Sequence, residues 1–161
     1  MTDREFPMKT YTLPLMTIAV VATLCGLYTM SQFLRNSVGV IAPNLASEIQ
    51  LSAAELGLLS SVYFLMFGLA QIPLGIALDR FGPKPCLLVS AVIAVAGCVV
   101  FAFAHSVTGL VLGRALLGLG TASFLMAPLA LYARWFPPAQ FSTITGLQLG
   151  VGTLGSLIAT A

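Results

Sequence analysis

These 161 residues read as an all-α membrane protein of five transmembrane helices, and three observations lead there. Apolar residues make up 58% of the chain and charged ones 7%, with a mean hydropathy of +1.01, whereas soluble domains carry roughly 25% charged residues. A chain this short leaves much of its area facing solvent, so lipid has to be part of that solvent. The second observation is where the charges fall. Uncharged runs extend from Thr10 to Leu34, Leu56 to Leu78, Pro85 to Gly113, Ala115 to Ala133 and Trp135 to Ala161. Each is near or above the ~20 residues that cross a ~30 Å hydrocarbon core at about 1.5 Å per residue. Third, the runs do not alternate apolar with polar residues as barrel strands do, Leu87 to Phe103 being the plainest case. Backbone groups in lipid must bond within their own segment, which makes the runs helices.

A short segment, 1–13, precedes the membrane region, 14–161. The first span is expected at about 14–44, ending at Pro43 and Asn44 because proline has no N–H to continue the ladder. The second, 54–78, follows Ser52 as N-cap, with Glu55 three residues on as its capping-box partner. The third, 86–104, and the fourth, 107–133, share one long apolar stretch whose polar punctuation at His105 and Ser106 marks the turn. His105 is then a headgroup-level loop residue rather than a base or a ligand. The fifth, 139–161, runs apolar to Ala161. A final span is normally closed by a polar tail, so the expectation is that a sixth helix is missing. The rest would come from a C-terminal half or from a second chain.

Orientation follows from the cations. With the N-terminus in the cytoplasm, segments 1–13, 79–85 and 134–138 hold Arg4, Lys9, Arg80, Lys84 and Arg134, while 45–53 and 105–106 hold no Lys or Arg. This is the positive-inside pattern. No A-x-A site follows the first apolar stretch, and Leu24 spoils a lipoprotein-type site before Cys25, so the first helix reads as retained. A net charge of +2 leaves no basic footprint for nucleic acid. Cys25, Cys86 and Cys98 lie in apolar segments without metal-ligand spacing and read as small buried hydrophobes. There is no Ser-His-Asp set, no metal-ligand cluster and no phosphate loop, so no enzyme, metal or cofactor is expected.

The most specific stretch runs Gly75-Ile76-Ala77-Leu78-Asp79-Arg80-Phe81-Gly82-Pro83-Lys84. Gly75 permits close packing, Gly82 a tight reversal, and Asp79 puts a carboxylate among cations at a membrane boundary. The spacing resembles the cytoplasmic signature of the major facilitator superfamily, G-x-x-x-D-[RK]-x-G-x-[RK]-[RK]. Gly75, Asp79, Arg80, Gly82 and Lys84 match it, and Pro85 departs at the last basic position. The resemblance extends to Gln71-Ile72-Pro73-Leu74-Gly75, to Arg114-Ala115-Leu116-Leu117-Gly118-Leu119-Gly120, to Arg134-Trp135-Phe136-Pro137-Pro138, and to Gly146, Gly150, Gly152 and Gly155. It implies the N-terminal six-helix bundle of a multi-pass transporter of the bacterial inner (plasma) membrane. It also implies a gating role for the 75–84 loop, which locks one state by charge pairing with the other half.

Two arginines inside spans give the sharpest functional signal, because a cation in lipid is expensive and usually faces a cavity or pathway. Arg35 and Arg114 both fall in the outer half of the bilayer, and the resemblance places both in the central cavity. Tyr28, Gln32, Arg35 and Gly39 share a face of the first span with Asn36 beside them; Arg114, Gly118, Thr121, Leu125, Pro128 and Tyr132 form one stripe of the fourth. The competing reading for Arg35 is snorkelling to the outer headgroups. For Arg114 it is a structural hydrogen bond to a neighbouring helix. No Asp or Glu lies within a span, and a planar guanidinium fork suits carboxylate or phosphate. The segment from Leu34 to Pro43 resembles the first helix of the anion:cation symporter and organophosphate antiporter branches, where a first-helix arginine binds the substrate anion. The expected function is secondary active transport of a small organic anion by alternating access, with Arg35, Arg114, Tyr28, Gln32 and Asn36 at the site. The alternatives are a drug or sugar efflux antiporter of the same superfamily and a non-transporting membrane subunit.

Overall fold

The computed structural model describes residues 15–160. The expected segment 1–13, with Arg4 and Lys9, lies outside them. Six helical elements follow in order: α1 (Leu15–Glu48), α2 (Ala53–Phe81), α3 (Pro83–Ala102), α4 (Val107–Thr121), α5 (Ser123–Trp135) and α6 (Pro138–Thr160). Among the described residues there is no strand. Five helices are long and apolar enough to cross a membrane, with α4 and α5 counting as one span from Val107 to Trp135. The protein is an all-α, multi-pass membrane chain.

Local chemistry accounts for the boundaries. At the start of α2, the Glu55 N–H donates to Ser52 Oγ at 3.3 Å and the Ser52 N–H donates to Glu55 Oε2 at 2.8 Å, the reciprocal capping box. Ser106 caps α4 in one direction only, its Oγ accepting from the Gly109 N–H at 3.3 Å. The turn between α2 and α3 narrows to Gly82, whose φ of +83° favours glycine, and Pro83 opens α3 at a position that needs no N–H. An expected seven-residue loop, 79–85, is therefore a one-residue reversal. The first span also runs on through Pro43 and Asn44 to Glu48, instead of stopping at 44. Proline removes one ladder bond, and a lipid-embedded backbone that gains no water by unwinding does better to continue past it. Pro73 is carried inside α2 for the same reason. The fourth span alone divides, at Ala122, one and a half turns before Pro128.

Packing reverses the usual soluble arrangement. Large side chains face outward: Ile72 is 75% exposed and Val92 70%. Small ones meet inside, where α3 packs along α4, α1 along α6, and α2 along α4. A Cβ at Gly113 would stand 2.8 Å from the Phe101 backbone, and one at Gly120 would collide with the backbone of Ala94. Gly152 and Gly155 let α6 lie equally close to Tyr28 and Thr29 of α1, while Gly146 and Gly150 meet nothing within 4 Å. Close approach through small residues is how helices associate without a hydrophobic driving force. Larger apolar side chains then fill the ends, as in the cluster of Leu51, Leu59 and Leu110 between the α1–α2 turn and α4.

Candidate functional site

Arg35 and Arg114 come together where α1, α2 and α4 meet. Arg114 is 2% exposed, and its three guanidinium nitrogens all donate to main-chain carbonyls. Nη1 reaches Leu34 O at 2.9 Å, Nη2 reaches Arg35 O at 3.3 Å, and Nε reaches Leu59 O at 3.5 Å. One side chain thus ties the backbones of α1 and α2 to α4. The charge is met by carbonyl dipoles and by the ring of Tyr63, 4.7 Å from the guanidinium carbon.

Arg35 differs. It is half-buried, and its guanidinium carbon lies 4.7 Å from the ring centre of Phe67, 5.5 Å from Phe64 and 5.9 Å from Tyr63. Its Nε is buried without a hydrogen-bond partner. Tyr63 and Phe67 stack at 6.3 Å with their planes 14° apart, one turn of α2 presenting a continuous aromatic surface. The Tyr63 hydroxyl and Thr121 Oγ1 share a hydrogen bond of 2.7 Å, and Thr121 Oγ1 donates to Leu117 O at 2.7 Å. A Cβ at Gly118 would collide with the Tyr63 carbonyl, so α2 and α4 are as close as they can be at this level.

The other expected site residues of α1 turn elsewhere. The Asn36 amide donates to Ser156 Oγ of α6 at 2.8 Å and to Gln32 O at 2.9 Å. Tyr28 is buried against Gly152, and Gln32 Oε1 is buried without a partner. The α4–α5 stripe of Gly118, Thr121, Pro128 and Tyr132 is packed inside the bundle rather than lining open space. At the opposite end, Asp79, Arg80 and Lys84 are exposed around Gly82, and the Arg80 guanidinium lies 5.3 Å from the Phe81 ring. Gly75 lies in α2 with open space beside it. Among the described residues no group of three or more His, Cys, Asp or Glu side chains could hold a metal ion.

The Major Facilitator Superfamily profile matches residues 24–161. The chain belongs to that superfamily. Its relatives there include a nitrate/nitrite transporter of Picosynechococcus, 34% identical over 71% of this chain and 21% of the relative. A probable sulfoacetate transporter of Cupriavidus necator is 30% identical over 86% of this chain and 32% of the relative. A hexuronate transporter of Bacillus subtilis is 29% identical over 77% and 29%. The chain thus spans about a fifth to a third of the length of these relatives. In this Major Facilitator chain, sequence reasoning located both arginines but missed their aromatic partners. Tyr63, Phe64 and Phe67 read as ordinary apolar residues of the second span; the available signal was aromatic spacing at i and i+4 on a helix that must pack beside two uncompensated cations. Gln148 was missed too. It is 1% exposed with both amide atoms unpartnered, and an amide midway along a glycine-rich span was its signature.

Proposed function

We propose that this chain is part of a secondary transporter that moves a small organic anion across the membrane by alternating access, with Arg35 as the anion-binding group. The observation that carries the reading is the state of the Arg35 guanidinium. It sits within a span, over aromatic rings, with Nε unpartnered and, among the described residues, no acidic side chain paired with it. The acids of the helices, Glu48, Glu55 and Asp79, stand at their ends. A cation so placed attracts an anion, and its planar fork fits a carboxylate or sulfonate. The relatives named for nitrate/nitrite, sulfoacetate and hexuronate carry anions, which supports the same class here.

In this reading the two arginines divide the work. Arg114, with all three guanidinium nitrogens bonded to carbonyls, holds α1 in place and does not touch the substrate. Tyr28 and Asn36 fasten α1 to α6. The Gly75–Lys84 segment acts as the cytoplasmic gating clasp, pairing Asp79 and Arg80 with helices of a C-terminal half. The N-terminus then faces the cytoplasm, in a bacterial inner membrane. Uptake into proteoliposomes by the full-length protein tests this with labelled nitrate, sulfoacetate and glucuronate, and an uncharged sugar as control. Anion uptake is expected, and Arg35→Gln should abolish it. Sugar or drug transport that survives Arg35→Gln would replace this reading with efflux, and no transport of any solute would leave a non-transporting subunit.

A further inference from the structure

Arg35 and Arg114 carry two positive charges into one membrane-embedded junction, and one ring serves both. The Tyr63 ring centre is 4.7 Å from the Arg114 guanidinium carbon and 5.9 Å from that of Arg35. A cation held over a ring face uses none of its N–H donors. This matters for Arg35, whose guanidinium carbon lies 4.7 Å from the Phe67 ring centre, 5.5 Å from that of Phe64 and 5.9 Å from that of Tyr63, without any hydrogen bond among the described residues. Tyr63 is in turn the most constrained residue of the patch: it is fully buried, its hydroxyl is bonded to Thr121 of α4, and its carbonyl abuts Gly118. Its parallel stack with Phe67 carries that constraint one turn along α2 to the ring closest to Arg35.

We propose that Tyr63 is a positioning residue for substrate recognition, a rigid aromatic shelf that holds the Arg35 guanidinium beside Arg114 with its donors free for the anion. The proposal rests on the anion reading of Arg35. Two like charges at this junction repel, and the electron-rich ring within about 6 Å of both offsets part of that repulsion, while the hydrogen bond to Thr121 and contact with Gly118 stop the shelf from yielding. Arg114 fixes the backbone at Arg35, and Tyr63 fixes its side chain. The anion itself meets only Arg35. Affinity should therefore depend on the Tyr63 ring more than on its hydroxyl.

The test measures glucuronate uptake by the full-length protein in proteoliposomes for Tyr63→Phe, Tyr63→Leu, Phe67→Leu and Arg35→Gln. Tyr63→Leu is expected to raise KM by about tenfold, the size of a desolvated cation–π contact, with the maximal rate within about twofold. Tyr63→Phe, which keeps the ring, is expected to restore KM to within about threefold of the parent. Should Tyr63→Leu not fold, Phe67→Leu carries the same expectation from the second ring. Equal KM values for Tyr63→Phe and Tyr63→Leu, or a loss confined to the maximal rate, would overturn the shelf. Arg35→Gln separates the two levels. If it leaves glucuronate uptake intact, the anion reading itself fails; if it abolishes uptake while both ring deletions leave KM unchanged, the shelf alone fails.

Discussion

Arg35 and Arg114 bear the same functional group on two helices of one junction, yet their surroundings differ. Arg114 donates to three carbonyls on two other helices, whereas Arg35 rests on rings and donates to nothing described. Stability should follow the first and not the second. Arg114→Gln is expected to lower unfolding stability by about 1.5–3 kcal/mol, the range for a hydrogen bond to a charged group. Arg35→Gln should cost no more than about 1 kcal/mol, as for a half-exposed cation–π contact. Side-by-side thermal melts in detergent decide it, and the reverse order would refute this division. Both arginines were legible in the sequence because a charge inside an apolar run cannot be hidden. Their different roles were not. A carbonyl acceptor belongs to every residue and leaves no mark in the sequence, and Tyr63 looks like any aromatic in a membrane span.

Helices were legible wherever composition alone decides, and least so at their ends. The capping pair Ser52 and Glu55 fixed the start of α2 because its signal is local. Proline misled at Pro43, since a rule framed for water treats the lost N–H as a stop, while lipid penalises unwinding more. Glycines were ambiguous as well. Their spacing promised close packing, but only the structure separates Gly120, against the Ala94 backbone, from Gly146, which faces open space. Gly120→Ala should therefore wedge α3 from α4 and destabilise by about 1–3 kcal/mol, as overpacking does. Gly146→Ala should leave the melting temperature unchanged or slightly raised. A harmless Gly120→Ala in the same melt would show that the α3–α4 contact is looser than described.

Across the described residues, large apolar side chains cover the outside and small residues line the helix contacts, and the cations outside the spans gather at one end. Arg80, Lys84 and Arg134 mark that end, while the turns at 49–52 and 103–106 carry none. Single cysteines read the direction. Ala54→Cys should react with a membrane-impermeant maleimide in intact cells, and Lys84→Cys only after permeabilisation; the opposite pattern would invert the proposed topology. Cys25 and Cys86 are buried and should stay silent. The grip of Arg114 bears on how such a chain diversifies. It clasps the main chain at positions 34 and 35, which any amino acid provides, and so is blind to the side chain at 35. If Arg35 binds the anion as proposed, exchanging that side chain would alter which solute is recognised while leaving the fastening untouched. Selectivity and scaffold would then be inherited on separate atoms of the same residue, and new specificities could arise here without a new fold having to be found.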